Sequence, residues 1–214
     1  MIELWGRPNA YNVQKALWIL RELGLEFIHY DVGSRRGDLD TPEFLALNPH
    51  GRIPVIRDND AVVWESNSIV RYLAARYDPV TLWPPEPLAR SCAERWMDWE
   101  LDKLQPDFID LFWGFYRTPA QSRDYHLIDA ARQKCARHFR QLDRHLEQQP
   151  FVAGESFTMG DIPCGICLYR YFEMGLDVEK PAGVMQWYGR LSQREAYRNT
   201  IMTPFDELKG RVDF

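Results

Sequence analysis

The chain has 214 residues, of which 45% are hydrophobic and 27% are charged, and its formal net charge is −5. This length can bury a core in one large domain or two small ones, and the acidic balance gives no reason to expect a nucleic acid or an anionic membrane as a partner. No apolar run is long enough to cross a bilayer, and the N-terminus lacks the pattern of a signal peptide, so we expect a cytoplasmic protein.

Strand and helix patterns alternate over about the first 78 residues. IELW at residues 2–5 is typical of a short strand. NVQKALWILRELG predicts a helix because its apolar residues recur at helical spacing, with Asn12 as the N-cap and Gly24 just past the end. A strand in EFIHYDV, a short helix over 41–47, a hairpin in VIRDNDAVVW and a helix that begins at Ser66 follow. The predicted order is β-α-β-α-β-β-α.

A proline-rich stretch separates this half from the rest of the chain. DPVTLWPPEP carries four prolines in ten residues and predicts a linker over residues 79–87. Helical periodicity follows near 88–116 and 121–147, and from about residues 159, 184 and 193. Pro106 lies inside the first of these segments and is expected to kink or break it. We therefore predict an α/β domain over residues 1–78 and an all-helical domain over residues 88–214.

The four cysteines, Cys92, Cys135, Cys164 and Cys167, are too few and too scattered for a disulfide framework. The C-x-x-C pair at 164 and 167 lies in a late helical segment, and no second Cys or His pair stands near it to complete a zinc site. We expect two buried helix cysteines one turn apart and no metal site.

Three short motifs carry the functional signal. NPHGRIPVI, residues 48–56, places Pro54 at the start of a strand pattern, although proline is normally kept out of central strands. WESNSIVRYL places an acid and a hydroxyl, Glu65 and Ser66, at the start of a helix. GESFTMGDI, residues 154–162, is close to a capping box in the helical half. With the order of elements, these motifs resemble the glutathione transferases over the whole chain.

The resemblance implies a fold and an activity. The fold is a thioredoxin-like α/β N-terminal domain followed by an all-helical domain, and because the family is usually dimeric a homodimer is expected. The activity is detoxification by conjugation: the thiolate of reduced glutathione, the co-substrate, attacks small apolar electrophiles. Two alternatives stay open, a glutathione-dependent disulfide or peroxide reductase and a non-catalytic transferase-like binding protein.

The resemblance also gives Pro54 a use. It implies that the Ile53–Pro54 bond is cis and that the N–H and C=O of Ile53 turn outward. These groups can then pair with the cysteinyl part of glutathione, as an extended peptide pairs with a strand edge. The alternative is an ordinary loop proline at the start of a strand.

Glu65 and Ser66 are expected to hold the γ-glutamyl end of glutathione. A helix N-terminus offers unpaired N–H groups and a partial positive charge to the carboxylate, and Ser66 adds a hydroxyl. Glu65 can bind the ammonium group. The alternative is that Ser66 only caps the helix and Glu65 is a first-turn acid.

The glycine end of glutathione needs a cation. By their places in the family motif the candidates are His50 and Arg52, of which Arg52 is the better because it is always charged. Arg35 and Arg36 in the preceding loop are weaker candidates. A solvated loop without a binding role is the alternative.

The glutathione thiol has a free pKa of about 8.5 and needs a donor that favours its thiolate. The serine of the serine-using classes aligns with Ala10, which has no side-chain donor. Asn12 aligns with the Cys or Asn of some bacterial members and is the predicted catalytic residue, assisted by the Val13 N–H and the helix dipole. The Tyr11 phenol is the second candidate, and a role for Asn12 as a helix cap alone also stays open.

The segment PDFIDLFWGFYR carries an aromatic stripe at helical spacing. Such a stripe is more often core than pocket. In the family, however, this region faces the cleft between the domains and lines the site for the electrophile. Phe112, Trp113 and Tyr116 are the predicted members of that site.

The motif GESFTMGDI is interpreted as structural. Thr158 is a good N-cap and Asp161 lies three residues later, while Phe157 and Ile162 have the spacing of a hydrophobic staple. We expect Asp161 to be buried and to stabilise the fold rather than to act in catalysis.

Overall fold

Four short strands form one mixed sheet in the first half of the chain. The structure, a computed structural model, describes residues 1–34 and 37–212. The strands are β1 (Ile2–Trp5), β2 (Phe27–Tyr30), β3 (Val55–Asp58) and β4 (Ala61–Trp64). Their order across the sheet is β2-β1-β3-β4; β1 is parallel to β2 and antiparallel to β3, and β3 is antiparallel to β4. The predicted hairpin is present, with Asn59 and Asp60 between its strands.

Helices alternate with these strands and then continue alone. The first three are α1 (Tyr11–Glu22), α2 (Pro42–Leu47) and α3 (Ser66–Tyr77). The second half contains α4 (Pro87–Trp99), α5 (Gln105–Phe112), α6 (Tyr125–Leu146), α7 (Asp161–Gly165), α8 (Leu168–Glu173), α9 (Ala182–Ser192) and α10 (Glu195–Thr200). Two π-helical segments, Glu100–Leu104 and Trp113–Arg117, and two short 3₁₀ turns, Ala120–Ser122 and Asp206–Leu208, complete them. This order confirms the expected α/β unit followed by a helical one.

Helix α1 begins two residues earlier than its sequence pattern predicted. Its N-cap is Ala10, whose carbonyl accepts the N–H of Gln14, and no side chain caps the helix. Asn12 is therefore the second helical residue, and the prediction that it is the N-cap is wrong. At the other end Gly24 follows the helix with a φ of +62°, as its position predicted.

Pro106 does not break the long helix that it lies in. Helix α4 continues through the π-helical segment Glu100–Leu104 into α5, where Pro106 is the second residue. In a π-helix each N–H bonds to the carbonyl five residues back, as the N–H of Gln105 does to Glu100. This change of register lies next to the proline, whose missing N–H would otherwise interrupt an α-helical ladder.

Helix α1 packs on both halves of the molecule. It lies against α3 of the sheet domain and against α7 and α10 of the helical half. Trp18 at its centre is completely buried, with its ring 5.7 Å from that of Phe157 and 4.7 Å from that of Tyr197. The first residues of α1 also line the cleft described below. This packing therefore fixes the sheet-domain wall of the cleft relative to the helical half.

Cys164 and Cys167 lie at the junction of α7 and α8, and both are completely buried. Burial raises the pKa of both thiols well above the ordinary value. The prediction of two buried cysteines one turn apart is confirmed. Across the ranges that the structure describes, no side-chain cluster has the makeup of a metal site, and no helix has the length and hydropathy to span a membrane.

Asp161 is completely buried at the first residue of α7, and its carboxylate accepts four hydrogen bonds. One oxygen accepts from the N–H and hydroxyl of Thr158 at 2.9 and 3.4 Å, and the other from the N–H of Val152 at 3.0 Å and the indole of Trp187 at 2.9 Å. Gly160, not Thr158, is the N-cap, so this capping pair closes the turn just before the helix. Burial raises the pKa of Asp161 to about 6, although each of these hydrogen bonds opposes the shift.

We predict that Thr158→Ala and Asp161→Ala lower the free energy of unfolding and leave turnover per folded molecule unchanged. Loss of a cap costs roughly 1 kcal/mol, and the Asp161 variant, which leaves buried donors unpaired, should lose about 2 kcal/mol or more. Denaturant melts of both variants beside the wild type provide the measurement. A variant that melts like the wild type but loses turnover would show that the motif is catalytic.

The effect of Asp161 should also depend on pH. Because its folded-state pKa lies above the value in the unfolded chain, the folded state holds the proton more tightly. The stability that Asp161 contributes is therefore complete below about pH 4 and declines as the pH rises through about 6. The gap between wild type and Asp161→Ala should narrow over that range in melts at several pH values.

Candidate active site

One cleft of about 1240 Å³ lies between the sheet domain and the helical half, and residues of both line it. All but one of the residues predicted for the site are in its wall: Asn12, His50, Arg52, Ile53, Pro54, Glu65, Ser66, Phe112 and Trp113. The exception is Tyr116. The roles assigned to these residues stay predictions, but the fold brings residues far apart in the sequence to one surface.

The Ile53–Pro54 peptide bond is cis, as the resemblance implied. Ile53 is half-buried and lines the cleft just before β3 begins at Val55. In the part of the chain that the structure describes, neither the N–H nor the C=O of Ile53 makes a hydrogen bond. A short stretch of backbone is thus open to an extended peptide in the cleft.

The N-terminus of α3 meets the N-terminus of α1 at the same cleft. Ser66 is buried at the first residue of α3, and its hydroxyl donates to Oδ1 of Asn12 at 3.3 Å. Glu65 precedes it as the N-cap with a φ of +69°, a left-handed conformation that a non-glycine residue adopts at some cost. Its side chain is exposed and makes no cap hydrogen bond. Sequence reasoning did not find the link between Ser66 and Asn12.

Asn12 is placed to offer donors to the cleft. Its carbonyl oxygen accepts from Ser66, whereas its Nδ2 has no hydrogen-bond partner among the described residues. As the second residue of α1, it also has a backbone N–H that no intrahelical carbonyl can accept, and the same holds for Val13. The helix dipole adds a partial positive charge at this point. The site therefore presents a neutral donor on the N-terminus of a helix.

Behind this wall, Lys15 and Glu100 form a buried ion pair between α1 and the first π-helical segment. Their Nζ and Oε2 atoms lie 2.8 Å apart and neither side chain is exposed. The Tyr11 hydroxyl donates to Glu100 at 3.0 Å, and Lys15 also donates to Gln105 at 2.8 Å. Burial raises the pKa of Glu100, and burial and this carboxylate together raise that of Tyr11. The Tyr11 hydroxyl is thus engaged with Glu100, which weakens the case for Tyr11 as the hydrogen-bond donor to the thiolate.

The loop before β3 holds His50 and Arg52 at the rim of the cleft. Both side chains are exposed, and the His50 ring lies 5.2 Å from that of Trp64. The buried Asn48 fixes the loop: its Oδ1 accepts the N–H of His50 at 3.1 Å, and its Nδ2 donates to the carbonyl of Arg52 at 2.9 Å. Sequence reasoning missed Asn48 because asparagine in a loop is usually exposed. Arg35 and Arg36, named above, lie outside the described residues.

Tyr116, predicted as a member of the electrophile site, is not among the described residues that line the cleft. It is buried, with its ring 5.2 Å from that of Phe112 and 4.9 Å from that of Phe205. Tyr116 thus packs against Phe112 and Phe205, and the next residue, Arg117, lines the cleft.

Sequence reasoning also missed a group of cleft arginines: Arg7, Arg117, Arg170 and Arg211. Arg170, on α8, is 5% exposed, and its Nη2 donates to the carbonyl of Asn9 at 2.8 Å. Arg117 is also buried, with its guanidinium 3.7 Å from the centre of the Trp113 ring. No local pattern marks these residues, because each comes from a different segment of the chain.

Comparison with known families assigns both halves of the chain to the same family. The family model for the glutathione S-transferase N-terminal domain matches residues 12–76, and that for the glutathione S-transferase C-terminal domain matches residues 125–190. The chain is 39% identical over 206 residues to glutathione S-transferase GstB of Escherichia coli strain K12, which covers 95% of this chain and 99% of that protein. It is 28% identical to glutathione S-transferase 3 of Zea mays, over 94% of this chain and 93% of that protein.

A solved structure is also similar throughout its length. It is the theta class glutathione S-transferase from the citrus canker pathogen Xanthomonas axonopodis pv. citri with glutathione bound. The sequence identity is 44%, the TM-score is 0.90, and the match covers 95% of this chain and 98% of that one.

We predict that Lys15→Met lowers the free energy of unfolding by roughly 3–5 kcal/mol, because it leaves the carboxyl of Glu100 buried without its cation. The double variant Lys15→Met/Glu100→Met should recover much of this loss. Lys103→Met, which breaks the exposed pair with Asp102, is the matched control and should change little. Denaturant melts of the wild type, Lys15→Met, Glu100→Met and the double variant form a double-mutant cycle, with Lys103→Met beside them as the control. Equal melts of Lys15→Met and Lys103→Met would contradict the cost of leaving Glu100 buried without its cation.

Proposed function

The chain belongs to the glutathione S-transferase family, and we propose that it transfers the thiolate of reduced glutathione to small electrophiles with an apolar body. The observation that carries this proposal is the meeting, in one cleft of about 1240 Å³, of an open backbone at Ile53, two helix N-termini and an aromatic wall. Pockets for small ligands usually measure about 300–1,000 Å³, so this one has room for a tripeptide and an acceptor together.

Glutathione lies extended along the sheet-domain wall in this proposal. The N–H and C=O of Ile53 pair with its cysteinyl residue. The N-terminus of α3 at Ser66 binds the γ-glutamyl carboxylate, and Glu65 binds the adjacent ammonium. His50 and Arg52 bind the glycine carboxylate at the other end. Only the γ-glutamyl end carries an ammonium group. Glu65 at one end of the site and the loop cations at the other therefore fix the direction in which the tripeptide binds.

The sulfur then comes to the N-terminus of α1. Nδ2 of Asn12 and the N–H groups of the first turn are donors that favour the thiolate over the thiol, and the helix dipole favours the negative charge. The sulfur lone pair attacks the electrophilic carbon of the acceptor and a C–S bond forms. In a substitution the leaving group departs with its bonding electrons; in an addition the resulting carbanion takes a proton from water. Phe112 and Trp113 hold the apolar body of the acceptor.

The same site argues against thiol–disulfide exchange through an enzyme cysteine. None of the described residues in the cleft wall is a cysteine, and Cys164 and Cys167 are buried with raised pKa values. Conjugation requires only the glutathione sulfur as nucleophile. An assay with chlorodinitrobenzene, a peroxide and a mixed disulfide distinguishes the three activities, and we expect turnover chiefly with the first. Glutathione binding without turnover of any of the three would instead support a binding protein.

We further propose that the protein acts in the cytoplasm, in detoxification, as a homodimer. The four cysteines are free, which suits a reducing compartment that keeps glutathione as the thiol. Val80 and Leu88, at the two ends of the linker, are 72% and 70% exposed and offer apolar surface to a second copy. Light scattering should give twice the mass of the chain, and a monomeric mass at micromolar concentration would overturn the homodimer.

We predict that Glu65→Ala and Ser66→Ala each weaken glutathione binding by about 1–3 kcal/mol, because each leaves a charged end of the ligand without a partner. Titration calorimetry is the measurement. Glu43→Ala, which removes an exposed acid from α2 outside the cleft wall, is the matched control. Unchanged affinity in both site variants would contradict the assignment of the γ-glutamyl end to Glu65 and Ser66.

We predict that Asn12→Ala raises the pKa of bound glutathione and cuts turnover about 10- to 100-fold, or about 1.4–2.7 kcal/mol of transition-state stabilisation. The enzyme should be impaired rather than inactive because the helix N-terminus still favours the thiolate. Tyr11→Phe should move the thiol titration much less, since its hydroxyl donates to Glu100.

Thiolate absorbance against pH in the glutathione complex is the direct readout. If Tyr11→Phe moves the titration and Asn12→Ala does not, the tyrosine is the donor. If neither moves it, the first-turn N–H groups and the helix dipole hold the thiolate without a side chain.

A further inference from the structure

The helical half contributes an electropositive wall to the cleft. Eight of its described residues line the cleft. Three of them, Arg117, Arg170 and Arg211, are arginines, and none of the eight is acidic. The carboxylates among the described lining residues are Asp40 and Glu65, both on the sheet-domain side. Among the described lining residues, cations therefore outnumber carboxylates on the wall where the second substrate is proposed to bind.

Arg170 is the most enclosed of these cations. It is 5% exposed, and among the described residues no carboxylate lies within ion-pair distance of it. Its one hydrogen bond goes to a backbone carbonyl, that of Asn9, and its guanidinium lies 5.5 Å from the centre of the Phe112 ring. A buried guanidinium with spare donors in a cleft is costly without an anion.

Burial is the largest effect on the charge of Arg170 and lowers its pKa to about 10. Tyr11 and Glu207 oppose that shift, and the charges of Arg117 and Arg7 add to it by smaller amounts. Glu207 is exposed, and its carboxylate accepts from Asn9 rather than from Arg170. An anion bound at Arg170 would therefore offset the cost of burying its charge.

The aromatic residues lie beside the same cations. Arg117 stacks on Trp113 at 3.7 Å, and its Nε donates to the carbonyl of Arg211 at 2.7 Å, which ties the C-terminal segment to this wall. A planar apolar body against Phe112 and Trp113 would thus have guanidinium groups next to it. Guanidinium groups bind carboxylates in a planar, bidentate arrangement.

We propose that the preferred second substrate is an aromatic electrophile that carries a carboxylate, which Arg170 binds with help from Arg117 and Arg211. This inference rests on the proposed function and narrows it from small apolar electrophiles to anionic ones. The carboxylates of glutathione are assigned to the opposite wall, at Ser66 and in the loop of His50 and Arg52, so they do not account for the charge at Arg170. The reaction is a substitution: the C–S bond forms and the leaving group departs as an anion.

The test compares two acceptors that differ in charge and little in shape, 4-chloro-3,5-dinitrobenzoate and its primary amide. In each the glutathione sulfur displaces chloride. Rates are divided by the uncatalysed rates with glutathione, because the two rings differ in intrinsic reactivity. We expect kcat/KM, so corrected, to be at least about tenfold higher for the benzoate, as befits a charge-assisted hydrogen bond in a buried site.

Three variants locate the effect. Arg170→Gln should reduce the benzoate preference about tenfold or more, and Arg211→Gln, at an exposed position where folding is secure, about threefold. Arg137→Gln removes one charge from an exposed position on α6 outside the cleft wall and should leave the preference unchanged. A wild type that treats both acceptors alike, or an unchanged preference in both Arg170→Gln and Arg211→Gln, would overturn the proposal. An equal rise in the KM for glutathione with both acceptors would also overturn it, because the arginines would then serve glutathione.

Binding of the finished conjugates separates this inference from the proposed function. Calorimetry with the glutathione conjugates of the two rings needs no turnover. The acid conjugate should bind at least about tenfold more tightly than the amide conjugate, and Arg170→Gln should abolish the difference. Equal binding by the wild type contradicts the anionic subsite even if both acceptors are turned over, whereas selective binding without turnover supports the subsite and contradicts the transferase.

Discussion

Lys15 and Glu100 are both withdrawn completely from water, one on α1 and the other on the helix that begins the second half of the chain. Such charges are tolerable only when they meet, because the desolvation cost of either alone amounts to several kcal/mol. The two halves can therefore dock in few arrangements other than the one that joins this pair. Tyr11 and Gln105, which bond to the pair, are themselves in the cleft wall. The geometry of the cleft thus depends on an ion pair that is not itself part of the described cleft wall.

The Trp18 cluster supports the same docking by a different force. Its ring buries apolar surface between α1 and the helical half, where the Asp161 network holds the turn before α7 in place. Hydrophobic burial is favourable but weakly directional, whereas the ion pair is directional and contributes little net stability. The Trp18 contacts and the Lys15–Glu100 pair together hold the two halves in contact and in one relative position.

Local patterns in the sequence predicted the elements of the first half well. The hairpin, the helix beginning at Ser66 and the turn at Gly24 follow from short-range turn and capping chemistry. The family motif pointed to the cleft residues from His50 to Ser66 because they are close in sequence. What could not be predicted are contacts that only tertiary packing creates: the hydrogen bond between Ser66 and Asn12, the Lys15–Glu100 pair, and the gathering of arginines from four separate segments. The place of Tyr116 is a related case: it stacks on Phe112 as helical spacing predicts, but its contact with Phe205, far away in the sequence, could not be predicted.

The two π-helical segments have an evolutionary consequence. Each π-helical turn holds one more residue than an α-helical turn, and the extra residue is taken up within that turn. Loss of one residue from Glu100–Leu104 would therefore return this turn to α-helical register and leave Phe112, Trp113 and Arg117 on the same face of the helix. The same loss inside α5, which is already α-helical, would instead turn every later position by about 100°. Relatives that differ in length by one residue at these two turns should accordingly keep the same acceptor wall.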